Sequence, residues 1–307
     1  MTQPDPTVIT IVSRWSRTTV LFAGRPGETQ REAILRAVSE GADLTRADLT
    51  GAILTRANLT RADLTRANLT RANLTRADLT DADLTRANLT RADLTDADLT
   101  RANLTGADLT DADLTRANLT RADLTDADLT RANLTDADLT DADLTRANLT
   151  RADLTRANLT RAILTGADLT GANLTDADLT RANLTRADLT DADLTRANLT
   201  AIREDVLRIL RAVPSEAAGL LASIRAGKIE GSTYHGTCAC LVGSIANQMH
   251  VEHDAIPGIS PDPDSIAERW FANIHEGDTP DTNVYALAAE RWVSAFVDGL
   301  AVAKAES

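Results

Sequence analysis

Residues 41–200 contain no proline, no aromatic residue, and no cysteine, histidine, serine, lysine or glutamate. Such a stretch offers no activated nucleophile, no usual general base and no soft metal ligand, so catalysis is not expected from it. Cysteine is scarce in the whole chain. The two present, Cys238 and Cys240, are too few for a disulfide framework. No apolar run reaches eighteen residues and no basic-then-apolar leader is present, so neither a membrane span nor a signal peptide is expected. The expected location is the cytoplasm. Lys and Arg form no cluster along the chain, whose net charge is −13. Direct nucleic-acid binding is therefore not expected, because neutralising phosphates needs a concentrated basic face.

What is present is one unit of five residues, Ala-Asp/Asn-Leu-Thr-Arg/Asp/Gly, written repeatedly. Leucine recurs every fifth position from Leu44 to Leu199, thirty-two times without insertion or deletion. An apolar period of five fits neither the 3.6 of a helix nor the 2 of a strand. Ala and Leu form the inward pair. Asp/Asn, Thr and the fifth residue point outward. A chain of 307 residues ordinarily suggests two globular domains, but a repeat array grows by stacking and needs no central core.

The motifs ADLTR and ANLTR throughout residues 41–200 resemble the pentapeptide repeat family. That resemblance implies a β-solenoid, a right-handed quadrilateral β-helix with four units to each coil of twenty residues. Eight coils then rise about 38 Å at the usual strand spacing. The best-understood members of the family mimic double-stranded DNA and inhibit type II topoisomerases such as DNA gyrase. Most have no assigned activity.

In such a coil, residues twenty apart stack. Thr45, Thr65 and Thr85 form one hydroxyl column, and Asn68 and Asn88 form part of an amide ladder. The edge running Arg56, Arg76, Asp96, Arg116, Asp136, Arg156, Asp176, Arg196 mostly sets opposite charges against each other, and Arg56/Arg76 breaks the pattern. Residues 41–200 hold 26 Asp and 19 Arg, and no one of the four faces is strongly polarised. Asp43, Asp63, Asp83, Asp123 and Asp143 form the acidic column that a DNA mimic would present. Ile53 and Ile163 interrupt the Asp/Asn positions on two different faces, as drift or as docking points. Gly51, Gly106, Gly166 and Gly171 replace Arg or Asp, easing a bend or simply varying. An ice-matching threonine plane is disfavoured, since Asp and Arg flank every Thr.

Residues 8–12 and 18–22 read as strands of a hairpin, separated by residues 13–17, and residues 28–40 as a helix with Ile34, Leu35 and Val38 on its apolar stripe. Residues 1–40 are the expected N-terminal cap, because a bare first coil exposes leucines and unpaired backbone. Exposed Trp15 and Phe22 are the alternative, a partner-binding patch.

Residues 201–307 read as a mostly α-helical C-terminal domain. Helices are expected at 202–213, from Pro214 to Gly227, at 267–274 and at about 282–302. This part carries enough apolar and aromatic residues for a small core. Trp270, Phe271, Trp292 and Phe296 are the natural interaction anchors, or members of that core. Cys238, Cys240, His250 and His253 have metal-ligand chemistry, but Cys-x-Cys is not the usual zinc-hairpin spacing. A thiol nucleophile at Cys238 or Cys240, with His235 or His253, is a further alternative, and buried structural cysteine is the ordinary one.

The expected function is a non-catalytic scaffold on a repeat rod, without cofactor or metal, serving a protein partner or self-association. The alternative is a gyrase inhibitor that imitates DNA.

Overall fold

The computed structural model describes residues 10–229, 241–242, 244–245, 266–271 and 273–305. Contacts divide the chain into two compact units. One comprises Met1–Ala182 with Ala192–Ala197, and the other Asn183–Asp191 with Asn198–Ser307.

The repeat geometry starts at its fifth residue. At all thirty-two of these positions φ lies between +55° and +67°. The following Ala N–H donates back across the turn to the Leu carbonyl, as Ala57 does to Leu54 at 2.9 Å. Positive φ at only the third residue of a four-residue turn is the type II β-turn, which favours glycine there. This accounts for the glycines among the arginines: Gly51, Gly106, Gly166 and Gly171 occupy left-handed positions, where lacking a Cβ relieves strain. Arg and Asp hold the same conformation elsewhere at about 1–2 kcal/mol each.

Parallel bridges join second-position residues twenty apart, as in Asp63↔Asp83, Asn88↔Asp108 and Asn173↔Asp193. Four turns within a twenty-residue period make a four-sided β-helix. Within one unit every backbone N–H has a partner. Asn73 donates to Ala52 O at 2.9 Å, Leu74 to Asp93 O at 2.7 Å, and Arg76 to Thr95 O at 2.9 Å. Ala72 donates to Leu69 O at 2.9 Å in the turn, and Thr75 donates to the Asn73 side chain at 3.0 Å. This closes the donor inventory of a buried repeat. Every leucine of the series from Leu44 to Leu189, and every repeat alanine from Ala47 to Ala187, is buried.

Ahead of the first coil, β1 (Thr10–Ser13) and β2 (Ser16–Ala23) pair antiparallel. Their turn is Arg14-Trp15, tighter than the expected loop of residues 13–17. Ser13 bridges Ala47 of the first coil. Helix α1 (Gln30–Ser39) begins with a capping box between Thr29 and Glu32 and buries Ala33, Ile34 and Ala37. Leu35 and Val38, expected on the apolar stripe, are half-buried. Phe22 is half-buried beneath the Arg36 guanidinium, 4.5 Å from its ring.

Among the described residues, the second unit contains, besides the repeats Asn183–Asp191, α2 (Thr200–Ala212), a 3₁₀ turn (Pro214–Glu216), α3 (Ala217–Arg225), α4 (Ile266–Phe271) and α5 (Val284–Ala305). Helix α2 buries Ile202, Val206, Leu207, Ile209 and Leu210, the i, i+4 spacing of one helical face. Arg225 of α3 pairs with Glu290 of α5 at 2.5 Å. The Tyr285 hydroxyl donates to the Ala187 carbonyl at 2.8 Å, and burial pushes that phenol well above its ordinary range. Among the described residues no helix is long and apolar enough to cross a membrane.

Candidate functional site

The acidic column of the first face is assembled in register. Asp63 bridges Asp83, Asn103 bridges Asp123, and Asp123 bridges Asp143. Asp43 and Asp63 are exposed, and Asp83, Asp123 and Asp143 are half-buried. Each carboxylate is also part of the coil. The N–H groups of Thr45, Thr65, Thr85, Thr125 and Thr145 donate to Asp43, Asp63, Asp83, Asp123 and Asp143 at 2.8–3.0 Å. These are Asx turns, in which the side chain takes the place of a backbone acceptor. The Thr45 hydroxyl and N–H hold the Asp43 carboxyl below its ordinary range.

Asparagine performs the same task and adds a donor. The Asn68, Asn118 and Asn133 amides donate to the hydroxyls of Thr50, Thr100 and Thr115 in the preceding coil at 2.8–2.9 Å. The threonine hydroxyls are therefore engaged by neighbouring Asp and Asn, which weighs further against a free threonine plane. Ile53 and Ile163 cannot supply the carbonyl-type acceptor. They stand 67% and 39% exposed.

At the corners, Asp carboxylates lie between arginines of adjacent coils. Asp96 is 2.7 Å from Arg116 and 3.3 Å from Arg76. Asp111 is held likewise by Arg131 and Arg91, and Asp141 by Arg161 and Arg121. The Arg guanidiniums keep Asp81, Asp96, Asp111, Asp126, Asp136 and Asp141 below the ordinary carboxylate range. This is the alternation expected from the twenty-residue register. Pairs this exposed contribute little to stability, so their main effect is to neutralise the corners.

The C-terminal aromatics do not form one exposed group. Trp270 is 2% exposed and Phe271 fully buried. Trp270 meets Tyr285 edge-on at 4.6 Å and Trp292 at 5.4 Å, and its indole N–H donates to the Tyr285 carbonyl at 3.0 Å. An interaction anchor has to be reachable, so Trp270 and Phe271 are core residues instead. Trp292 and Phe296 are half-buried. Cys238, Cys240, His235, His250 and His253 lie outside the described residues. Among the described residues no group of His, Cys, Asp and Glu could hold a metal ion.

Residues 42–81, 82–121, 122–161 and 162–200 match the family model described as Pentapeptide repeats, in eight copies. The chain is a pentapeptide repeat protein. Among solved structures it is similar to HetL, a pentapeptide repeat protein involved in heterocyst differentiation regulation from the cyanobacterium Nostoc sp. strain PCC 7120. The identity is 36% over 57% of this chain and 96% of that one, with a TM-score of 0.25. A pentapeptide repeat protein from the Arabidopsis thaliana thylakoid lumen is 33% identical over 37% of this chain and 74% of its own, at a TM-score of 0.32. QnrB1, a plasmid-mediated fluoroquinolone resistance protein, is 20% identical over 56% of this chain and 93% of its own, at a TM-score of 0.31. No curated protein matches the sequence.

Within this pentapeptide repeat protein the Asx turn was legible but not read from the sequence. An Asp or Asn two residues before a Thr, kept through thirty units while every other outward charge varies, is the signal of a side chain bonding the backbone.

Proposed function

We propose that this protein is a non-catalytic scaffold. Its right-handed four-sided β-helix serves as a rigid spacer closed at one end by residues 1–40, and residues 201–307 supply the contact to a protein partner or a second copy. The observation that carries this reading is the saturation of the repeat surface. Its Asp, Asn and Thr groups bond one another, and most corner Asp groups are paired with Arg, so that the acidic and amide groups of the repeat surface are largely occupied. Among the described residues of 201–307, Trp292 and Phe296 on α5 are partly accessible aromatics, and Trp is enriched where interfaces are strongest. The test is light scattering and pull-down with the full chain. Trp292→Ala with Phe296→Ala is expected to lower association while far-UV circular dichroism is retained. Unchanged association places the contact elsewhere.

The second reading is a DNA-mimicking modulator of a type II topoisomerase such as DNA gyrase, drawn from the family. The stacked pairs Asp63/Asp83 and Asp123/Asp143 favour it, since each carboxylate keeps one oxygen outside its Asx turn. The neutralised corners oppose it, because attraction to a basic saddle follows the net field. A supercoiling assay across salt concentrations separates the two. Salt-sensitive inhibition that disappears when Asp43, Asp63, Asp83, Asp123 and Asp143 become Asn would favour the mimic, and no inhibition favours the scaffold.

A further inference from the structure

The coil register gathers arginines that the sequence keeps five or more residues apart. On the side between corner residues 46 and 51, second-position residues Asp48, Asn68 and Asn88 are bridged in sequence. One corner of this side carries Arg46, Arg66 and Arg86, and the other carries Gly51, Arg71 and Arg91. Successive members of a corner are one coil apart, about 4.8 Å. Among the described residues Arg91 is paired, with Asp111 at 3.5 Å, and Arg46, Arg66, Arg71 and Arg86 have no ion pair. Three of these four are exposed and Arg66 is half-buried. The hairpin extends the same side. Arg14 N–H donates to the Arg46 carbonyl at 2.7 Å, and its guanidinium donates to the Arg66 carbonyl at 2.9 Å. That guanidinium also lies 4.8 Å from the ring of Trp15, which is 70% exposed. Asp48 is the one carboxylate on the strip between the two corners over these three coils.

We propose that this N-terminal side of the β-helix is a binding surface for single-stranded nucleic acid, with phosphates on the Arg46/Arg66/Arg86 and Arg71 combs and a base on Trp15. A regular comb of unpaired guanidiniums suits a linear polyanion, and an open aromatic face beside it suits base stacking, which every base can supply. The strip between the combs is Asp48, Asn68 and Asn88 with Thr50, Thr70 and Thr90, polar throughout, whereas a protein partner ordinarily meets an apolar centre. The surface is local. The face beyond the Arg46/Arg66/Arg86 corner carries Asp43, Asp63 and Asp83 and the remainder of the chain is acidic, so binding is non-specific, weak and steeply salt-dependent.

The test is fluorescence anisotropy of a fluorescein-labelled oligo(dT) of twenty nucleotides with the full chain, titrated from low to physiological salt. Binding at low salt is expected, together with quenching of tryptophan fluorescence that is lost in Trp15→Ala. Arg66→Asp with Arg71→Asp uses the residue that the repeat itself accepts at this position, as at Asp81 and Asp96, and so preserves the coil. It is expected to weaken binding at least tenfold and to reduce the logarithmic salt slope by about 1.4, the loss of two single-strand phosphate contacts. Three results would overturn the proposal: no binding at low salt, binding unchanged by the double substitution, or equal binding of poly-glutamate without any effect of Trp15→Ala. The last would make this a docking surface for an acidic protein.

Discussion

The backbone N–H of Asp48 donates to the Val12 carbonyl at 2.7 Å. In later coils the equivalent N–H goes to an alanine carbonyl of the preceding coil, as Asn68 does to Ala47 at 2.8 Å. Strand β1 thus stands where a preceding coil would stand, and it pairs an edge that would otherwise template association. Arg14→Pro removes the N–H that bonds Arg46 and the guanidinium that bonds Arg66. Its expected cost is about 1–3 kcal/mol for the two lost bonds, with concentration-dependent association. Urea denaturation and light scattering check both parts.

Asp and Asn are interchangeable to the fold and unequal to the surface. Asp83→Asn keeps the oxygen that accepts the Thr85 N–H at 2.9 Å and is expected to change stability by under about 0.5 kcal/mol. Asp83→Ala strands that donor and should cost about 1–3 kcal/mol. Equal urea midpoints for the two variants would show that the Asx turn contributes nothing.

The corner conformation makes an opposite ordering of side chains. Arg56 has φ +57° and has no ion pair among the described residues. Arg56→Gly relieves the left-handed strain and should leave thermal stability unchanged or raised. Arg56→Val places a β-branched residue in the same region and should destabilise by about 1–2 kcal/mol. The pair of melting temperatures tests the type II turn directly.

Leu124 is fully buried in a middle coil, packed among leucines of the coils on either side. Leu124→Ala leaves a cavity that the stacked backbone cannot collapse into, and a loss of about 3–5 kcal/mol is expected. Chemical denaturation of the full chain measures it.

Acid should act on the repeats through carboxylates whose folded values are depressed. The Thr80 N–H and hydroxyl lower Asp78 and the Thr45 hydroxyl and N–H lower Asp43, while corner aspartates such as Asp96, lowered by exposed arginines, add little. For a depressed group the unfolded chain binds the proton first, so the stability it contributes is present above the unfolded aspartate value of about 3.9 and is lost as pH falls through the folded value. The melting temperature is expected to hold between pH 7 and 5 and to fall below about pH 4. A melting temperature that stays level down to pH 2 would remove these groups from the stability of the fold.

The sequence by itself determined the period of five, the inward Ala and Leu, and the twenty-residue charge alternation that places Asp96 between Arg76 and Arg116. These are local or strictly periodic properties, and a repeat without insertion carries them unchanged through every coil. The left-handed corner was legible in Gly51, Gly106, Gly166 and Gly171, but arginine at most other corners concealed it, because a closed coil can impose a conformation that arginine does not prefer. The Asx turn was legible in the Asp or Asn kept two residues before Thr, and the tertiary structure shows why it is needed: the Thr N–H is left over after the other four donors have been claimed by stacking and by the turn. Only the tertiary structure decided that Trp270 and Phe271 face inward, because aromatic spacing does not tell a core from an anchor when the packing partners, Tyr285 and Trp292, come from another helix. Arg46, Arg66 and Arg86 became neighbours through coil closure, which brings residues twenty apart to strand spacing, and Arg14 joined them when the hairpin docked on the first coil.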